Sequence, residues 1–185
     1  MRRYIGERIK KLREAQEMTL AQVCKLTGIE ADRLAAFEEG TEVPAIGAVI
    51  QLSRVFGSRV EGLLHGGGTV SDALTICRSG DSLGGIQGDT EQAYSYSSLT
   101  RPGTAGHLME PFLLSFDPNV PQGAAITHDG QEFVYVVEGV IGLFYDGHSY
   151  RLEKGDSAYL SSSRPHTFHG LGDGIAQMLA VVSSP

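Results

Sequence analysis

Apolar residues recur at helical spacing as far as Leu64 and at no helical spacing beyond it. A period of 3.6 buries one face of a helix and a period of 2 buries one face of a strand. A chain that changes period once must therefore fold as two differently built parts. In the first part Ile5, Ile9 and Leu12 form one stripe, while Thr19 precedes Leu20, Val23 and Leu26, which Gly28 stops. A third segment runs from about Glu30 to Glu39 with Leu34 and Phe37 inward, and Gly40 closes it. A fourth starts near Pro44 and carries Ile46, Val49, Ile50 and Phe56 before Gly57, and a fifth holds Val60, Leu63 and Leu64. Five short helices over residues 1–65 predict a compact bundle.

The run Gly66-Gly67-Gly68-Thr69-Val70-Ser71 predicts a flexible join over residues 66–71. Residues 78–92, with Gly80, Gly84, Gly85 and Gly88 among polar neighbours, read as a loop-rich entry to the second part. From Leu74 onward short β-rich runs follow one another: Tyr94–Tyr96, Phe112–Phe116, Phe133–Val137, Val140–Tyr145, Ser157–Leu160 and Ala176–Val182. Glu138-Gly139 and Asp146-Gly147 mark hairpins, and Lys154-Gly155-Asp156 marks another tight turn. Many short strands separated by turn dipeptides predict a sandwich or barrel over residues 72–185, with a mouth in which a ligand can sit.

Charge divides along the same line. Residues 1–65 carry ten Lys or Arg against nine Asp or Glu, and residues 66–185 carry five against thirteen. The net charge of −7 disfavours wholesale nucleic-acid binding. Local binding stays open through Arg2, Arg3, Arg8, Lys10, Lys11 and Arg13. Cys24 and Cys77 fall in different parts and in no metal or redox spacing, which fits a reducing compartment. The first residues are charged and amphipathic, with no secretory leader pattern, and no apolar run approaches a membrane span. The expectation is a soluble cytoplasmic protein with no membrane partner.

Chemistry concentrates in two stretches of the second part. His128 and Glu132 lie four residues apart in the run 123–139, where alternation puts both on one face, and His166 lies in a second run, 155–170. These stretches resemble the two motifs of the cupin superfamily, small double-stranded β-helix barrels, and the resemblance covers roughly residues 105–183. Cupin motifs usually offer His-x-His, then Glu, then a last His. His128 stands for the second of these, Glu132 for the carboxylate and His166 for the last, whereas Ile126 occupies the position of the first His. Two imidazoles and one carboxylate suffice for a divalent ion with open positions, and would take Fe, Zn, Ni or Mn. The alternative is a metal-free sensor in which the same residues are hydrogen-bonded pocket groups. Tyr94, Tyr96 and Ile126 are further pocket candidates. His169 is turned away from His166 by alternation, His148 is a surface group beside a turn, His65 and His107 belong to no motif, and Arg101 or Arg164 would hold an anion only if aimed into the mouth.

The strings Ile-Gly-Glu-Arg-Ile-Lys-Lys-Leu-Arg, Thr-Leu-Ala-Gln-Val-Cys-Lys-Leu-Thr-Gly-Ile and Leu-Ala-Ala-Phe-Glu-Glu-Gly-Thr-Glu-Val-Pro resemble the phage-repressor (Xre-type) helix-turn-helix family over residues 5–64. The resemblance implies that residues 30–39 enter the major groove and that Gln22 meets the phosphate backbone. The exposed face of that helix departs from family habit, offering Glu30, Asp32, Ala35, Ala36 and Glu39, with Arg33 as its single cation. Carboxylates repel phosphates, although Glu or Asp can accept from a cytosine amino group.

The combined resemblance implies an α+β chain of two domains, a five-helix helix-turn-helix bundle followed by an all-β cupin barrel. Its implied function is that of a homodimeric one-component transcriptional regulator that binds operator DNA and a small-molecule effector. A second resemblance, to the hydroxypropylphosphonate epoxidases, implies instead a mononuclear non-haem metal-dependent oxygenase. Where those enzymes hold a phosphonate with a Lys, an Arg and an Asn, this chain has Glu17, Gly88 and Ala125. A cupin binding module with neither DNA nor catalysis is the third reading.

Overall fold

The computed structural model describes residues 2–58, 60–65, 76–78, 94–100 and 108–183. The join at 66–71, most of the entry segment 78–92, and with them Gly88, Arg101 and His107, lie outside the described residues, as do the side chains of Arg2, Arg3 and His65. The chain forms two compact units.

In the helical unit α1 (Arg2–Ala15), α2 (Leu20–Thr27), α3 (Ala31–Glu39), α4 (Ile46–Val55) and α5 (Val60–His65) follow the five expected stripes. Their inward residues, among them Ile9, Val23, Leu34, Phe37, Val49, Ile50, Leu52 and Leu63, are almost fully removed from water. Each such side chain stabilises the fold by about 1.5–3 kcal/mol relative to exposure. Thr19 and Gln22 form a reciprocal capping box at the start of α2, and Gly28 ends it in the left-handed conformation. Gly28, Ile29 and Glu30 then turn the chain into α3, which gives the helix-turn-helix. Where α1 crosses α3 the backbones touch, because a Cβ on Gly6 would lie 2.2 Å from the Phe37 carbonyl oxygen. Two cations lock the bundle: Arg13 donates to both oxygens of Glu38 at 2.6 and 2.9 Å, and Arg8 donates to the Leu63 and Leu64 carbonyls at the end of α5.

The second unit is all antiparallel β. Its strands are β1 (Tyr94–Ser98), β2 (Met109–Phe116), β3 (Gln131–Glu138), β4 (Val140–Tyr145), β5 (His148–Glu153), β6 (Ser157–Ser161), β7 (His166–Leu171) and β8 (Ala176–Ser183). One sheet runs β1-β2-β8-β3-β6 and the other β5-β4-β7. Their inner faces build the core from Phe112, Leu114, Phe116, Val134, Val136, Met178 and Val182 on one side and Ile141, Leu143 and Phe168 on the other. Asp146-Gly147 closes the β4–β5 hairpin and Lys154-Gly155 turns the chain from β5 to β6, but Glu138-Gly139 closes no hairpin: it carries the chain from β3 in one sheet to β4 in the other. The strand reading omitted β5 and β7. Every residue of β5 but Leu152 is exposed at the sheet edge, so apolar alternation has nothing to report there. In β7 the buried positions are held by His166, Thr167 and Gly170 as well as Phe168, which breaks the apolar pattern. None of the described helices is long and apolar enough to cross a membrane.

Candidate metal centre

Three strand segments converge at the first residues of β3 and β7. Residues 126–128 run antiparallel to residues 162–166. Ile126 and His166 exchange backbone hydrogen bonds of 2.9 and 3.0 Å, and the His128 amide donates to the Ser162 carbonyl at 2.9 Å. This clamp sets His128 beside His166, and the start of β3 brings Glu132 up from below. The ring centroids of the two imidazoles lie 5.2 Å apart. His128 Nε2 is 3.1 Å from Glu132 Oε1, and His166 Nε2 is 3.6 Å from Glu132 Oε2.

All three residues are buried, with exposures of 5 % for His128, 5 % for Glu132 and 1 % for His166, which takes them out of the class of solvated surface polar groups. The remaining nitrogens are spoken for. Nδ1–H of His128 donates to the Asp129 carbonyl at 3.0 Å, and Nδ1–H of His166 donates to the Arg164 carbonyl at 2.9 Å, because a carbonyl can only accept. Both rings are thereby turned with Nε2 toward the carboxylate, the orientation a metal-ligating imidazole needs. Burial holds the His166 imidazole below its ordinary titration range, while the charge of Glu132 and the Arg164 carbonyl pull the other way. A neutral ring has a lone pair to offer.

Glu132 Oε2 is buried and has no hydrogen-bond partner. An unanswered carboxylate oxygen inside a barrel is costly, and a cation between it and two Nε2 atoms removes that cost. The three ligand atoms lie within 4.8 Å of one another, wider than the spacing of about 3–3.5 Å that bonds of ~2.1 Å to one ion require, so the side chains must draw inward to hold one. The donor set fits a divalent metal with open positions.

The other pocket candidates part company. Tyr96 is buried, its ring edge-on to Phe112, and burial followed by the influence of Tyr94 keeps its phenol protonated far above the ordinary range. Tyr94 is half-buried against Phe116. Ile126, opposite His166 in register, is half-buried. His169 points away from the centre, as alternation requires, and its ring covers Gly142, where a Cβ would lie 2.2 Å from the imidazole. His148 and Arg164 are exposed. Sequence reading missed two polar groups. Ser162 is 0 % exposed next to His128, and Glu110 stands in one transverse row with Val182 and Glu132 across β2, β8 and β3. A second motif read only as far as its His conceals the serine, and the isolated Glu-Pro of β2 carries no pattern at all.

On the helical unit the expected DNA-facing residues are partly occupied. Gln22 Oε1 accepts from the amide and hydroxyl of Thr19, so its carbonyl is used in the cap, while its side chain stays exposed. Arg33 donates twice to Glu42 and lies over the Phe37 ring, so the single cation of α3 already holds a carboxylate. Glu30, the N-cap of α3, makes no capping bond and is exposed, as are Asp32 and Glu39. Of the basic cluster in α1, Arg8 and Arg13 serve the fold, and Lys10 and Lys11 face solvent.

Comparison with known proteins matches both units. Residues 5–63 match the helix-turn-helix domain family and residues 112–182 the cupin domain family. The HTH-type transcriptional regulator PuuR of Escherichia coli (strain K12) is 23 % identical over 176 residues, covering 95 % of this chain and 92 % of that protein. An HTH_3 family transcriptional regulator from Vibrio cholerae superposes with a TM-score of 0.73 at 17 % identity, over 100 % of this chain and 97 % of its own. The Fe(II) form of HppE superposes with a TM-score of 0.53 at 25 % identity, over 98 % of each chain.

Proposed function

Because this chain is a helix-turn-helix transcriptional regulator with a cupin domain, we propose that it works as a one-component sensor. In this reading His128, Glu132 and His166 hold a divalent metal, a small-molecule effector binds beside it, and a homodimer engages operator DNA through α2 and α3. The observation that carries the reading is the buried carboxylate of Glu132, set between two imidazoles with one oxygen unanswered. An effector that favours one arrangement of the dimer shifts its population.

The homodimer follows from the two-fold logic of helix-turn-helix sites. A strip of exposed apolar side chains supports it. Phe133, Tyr135 and Val137 line the outer side of β3, with Tyr159 opposite Phe133 on β6 and 68 % exposed. Single exposed apolar residues are ordinary, whereas a contiguous strip marks a surface that is covered in use.

The test is a mobility shift with DNA from upstream of its own gene, at low salt, with metal-loaded and chelated protein. A retarded band whose affinity depends on loading supports the reading, and no band with any fragment removes DNA binding. The donor set and the Fe(II)-containing structural neighbour favour a second reading, a metal-dependent oxygenase. Against a phosphonate substrate, Glu17 and Ala125 are exposed and neither is a cation. Oxygen uptake by iron-loaded protein across a panel of small acids would revive that reading.

A further inference from the structure

Ser162 is the one described buried serine whose hydroxyl is left over. Ser53 Oγ donates to the Ile50 carbonyl and Ser98 Oγ pairs with Thr100, but Ser162 Oγ, in a residue 0 % exposed, has no hydrogen-bond partner. Its place is held from both sides. The Ser162 amide donates to the Gly130 carbonyl at 3.1 Å, and its own carbonyl accepts from the His128 amide. Continuing the register of β6 against β3, in which Leu160 faces Glu132 and Ser161 faces Gln131, Ser162 falls opposite Gly130 with the same parity as inward Leu160. It is the diagonal neighbour of Glu132 in this register, a separation of about 7–8 Å that leaves room for a small group between the two side chains.

Two buried oxygens without hydrogen-bond partners, Glu132 Oε2 and Ser162 Oγ, therefore belong to residues one diagonal apart in this register, with no hydrogen bond between them. A cation answers the carboxylate. It does nothing for a hydroxyl, which needs an acceptor for its proton. Two neutral imidazoles and one carboxylate leave a divalent ion one unit positive, with open positions facing the pocket. The group that completes both accounts is an oxyanion: one oxygen toward the ion, the other accepting from Ser162.

We propose that Ser162 is the hydrogen-bond donor for a small carboxylate that shares the centre with the metal, which makes the effector, in its recognised part, a carboxylic acid. This rests on the metal reading above. The full-length protein, loaded with Co(II), is titrated with formate as the probe and followed by visible absorption, beside Ser162→Ala. Formate should bind saturably to the parent. In Ser162→Ala its Kd should rise about tenfold while Co(II) affinity stays within about threefold, because a single charge-assisted hydrogen bond has been lost and no ligand to the ion. Unchanged formate affinity in the variant overturns the assignment, as does a Co(II) centre blind to formate. An equal loss of Co(II) overturns it too, by making Ser162 a support of the metal ligands. A parent that takes up no Co(II) brings down the metal reading itself, an outcome separate from the others.

Discussion

The helical domain and the barrel differ in how their most buried polar side chains are answered, although both pair charges at the surface. In the helical domain charged side chains find one another: Arg13 closes on Glu38, Arg33 on Glu42, and Gln22 folds back onto Thr19. In the barrel Glu132, His128, His166 and Ser162 are drawn inside, and two of their oxygens have no hydrogen-bond partner. A satisfied polar pair is explained by the fold that contains it. An unsatisfied buried one calls for an explanation of its own, and at this centre a bound group supplies it, so the barrel carries the more informative chemistry although the helical domain carries the more familiar motif.

If that contrast is right, its largest consequence is in the barrel. His128→Ala or Glu132→Ala should cost more than about 100-fold in metal affinity, since each removes a ligand outright where even supporting partners are worth 10–100-fold. Elemental analysis of parent and variants checks it, and full metal retention in both would dissolve the contrast. Next comes the helical crossing. Gly6→Ala forces a methyl into the Phe37 carbonyl and should destabilise the helical domain by about 2–3 kcal/mol, read as an early transition in urea, with metal content untouched.

Glu38→Ala should cost about 2 kcal/mol, because it strands the half-buried Arg13 guanidinium, and the same urea curves measure it. Glu42→Gln probes the exposed pair, in which Arg33 is 51 % exposed. Stability should change by less than about 1 kcal/mol. DNA affinity should rise as Arg33 is released, with about one further counterion displaced in a salt titration.

The smallest effect is on pH. Burial lowers the His169 imidazole from its ordinary 6.5, so the unfolded chain takes up its proton first on acidification. That contribution to stability is complete above about pH 6.5 and lost as pH falls through the lowered folded value. Melting curves between pH 5 and 8 should show the barrel weakening on the acid side, and His169→Asn should flatten part of that slope.

Much of this was legible in the sequence. Helical periodicity and the Gly28 and Gly40 stops placed α2 and α3 to within a residue or so, because local spacing decides which face of a helix is buried. His128 and Glu132 were legible as a pair because the strand period puts both on one face, and the resemblance to cupin motifs added His166. Strands β5 and β7 were not, since an exposed edge strand and a strand lined by polar site residues both lack the alternation that announces a strand. The engagement of Arg33 by Glu42 was equally hidden, because nine residues separate them and only the turn after α3 brings the two together.

Pattern by itself determined the two-part architecture and the pairing of His128 with Glu132, which depend on local periods and short spacings, while resemblance to known families supplied the helix-turn-helix and added His166 to the candidate set. Only the tertiary structure decided that His128, Glu132 and His166 are buried, that one carboxylate oxygen has no hydrogen-bond partner, and that the Ser162 backbone is clamped between Gly130 and His128. Those facts arise where chain segments about thirty residues apart are forced into register by backbone hydrogen bonding. Whether a polar atom is answered depends on everything that surrounds it, and that is a property of the packed barrel.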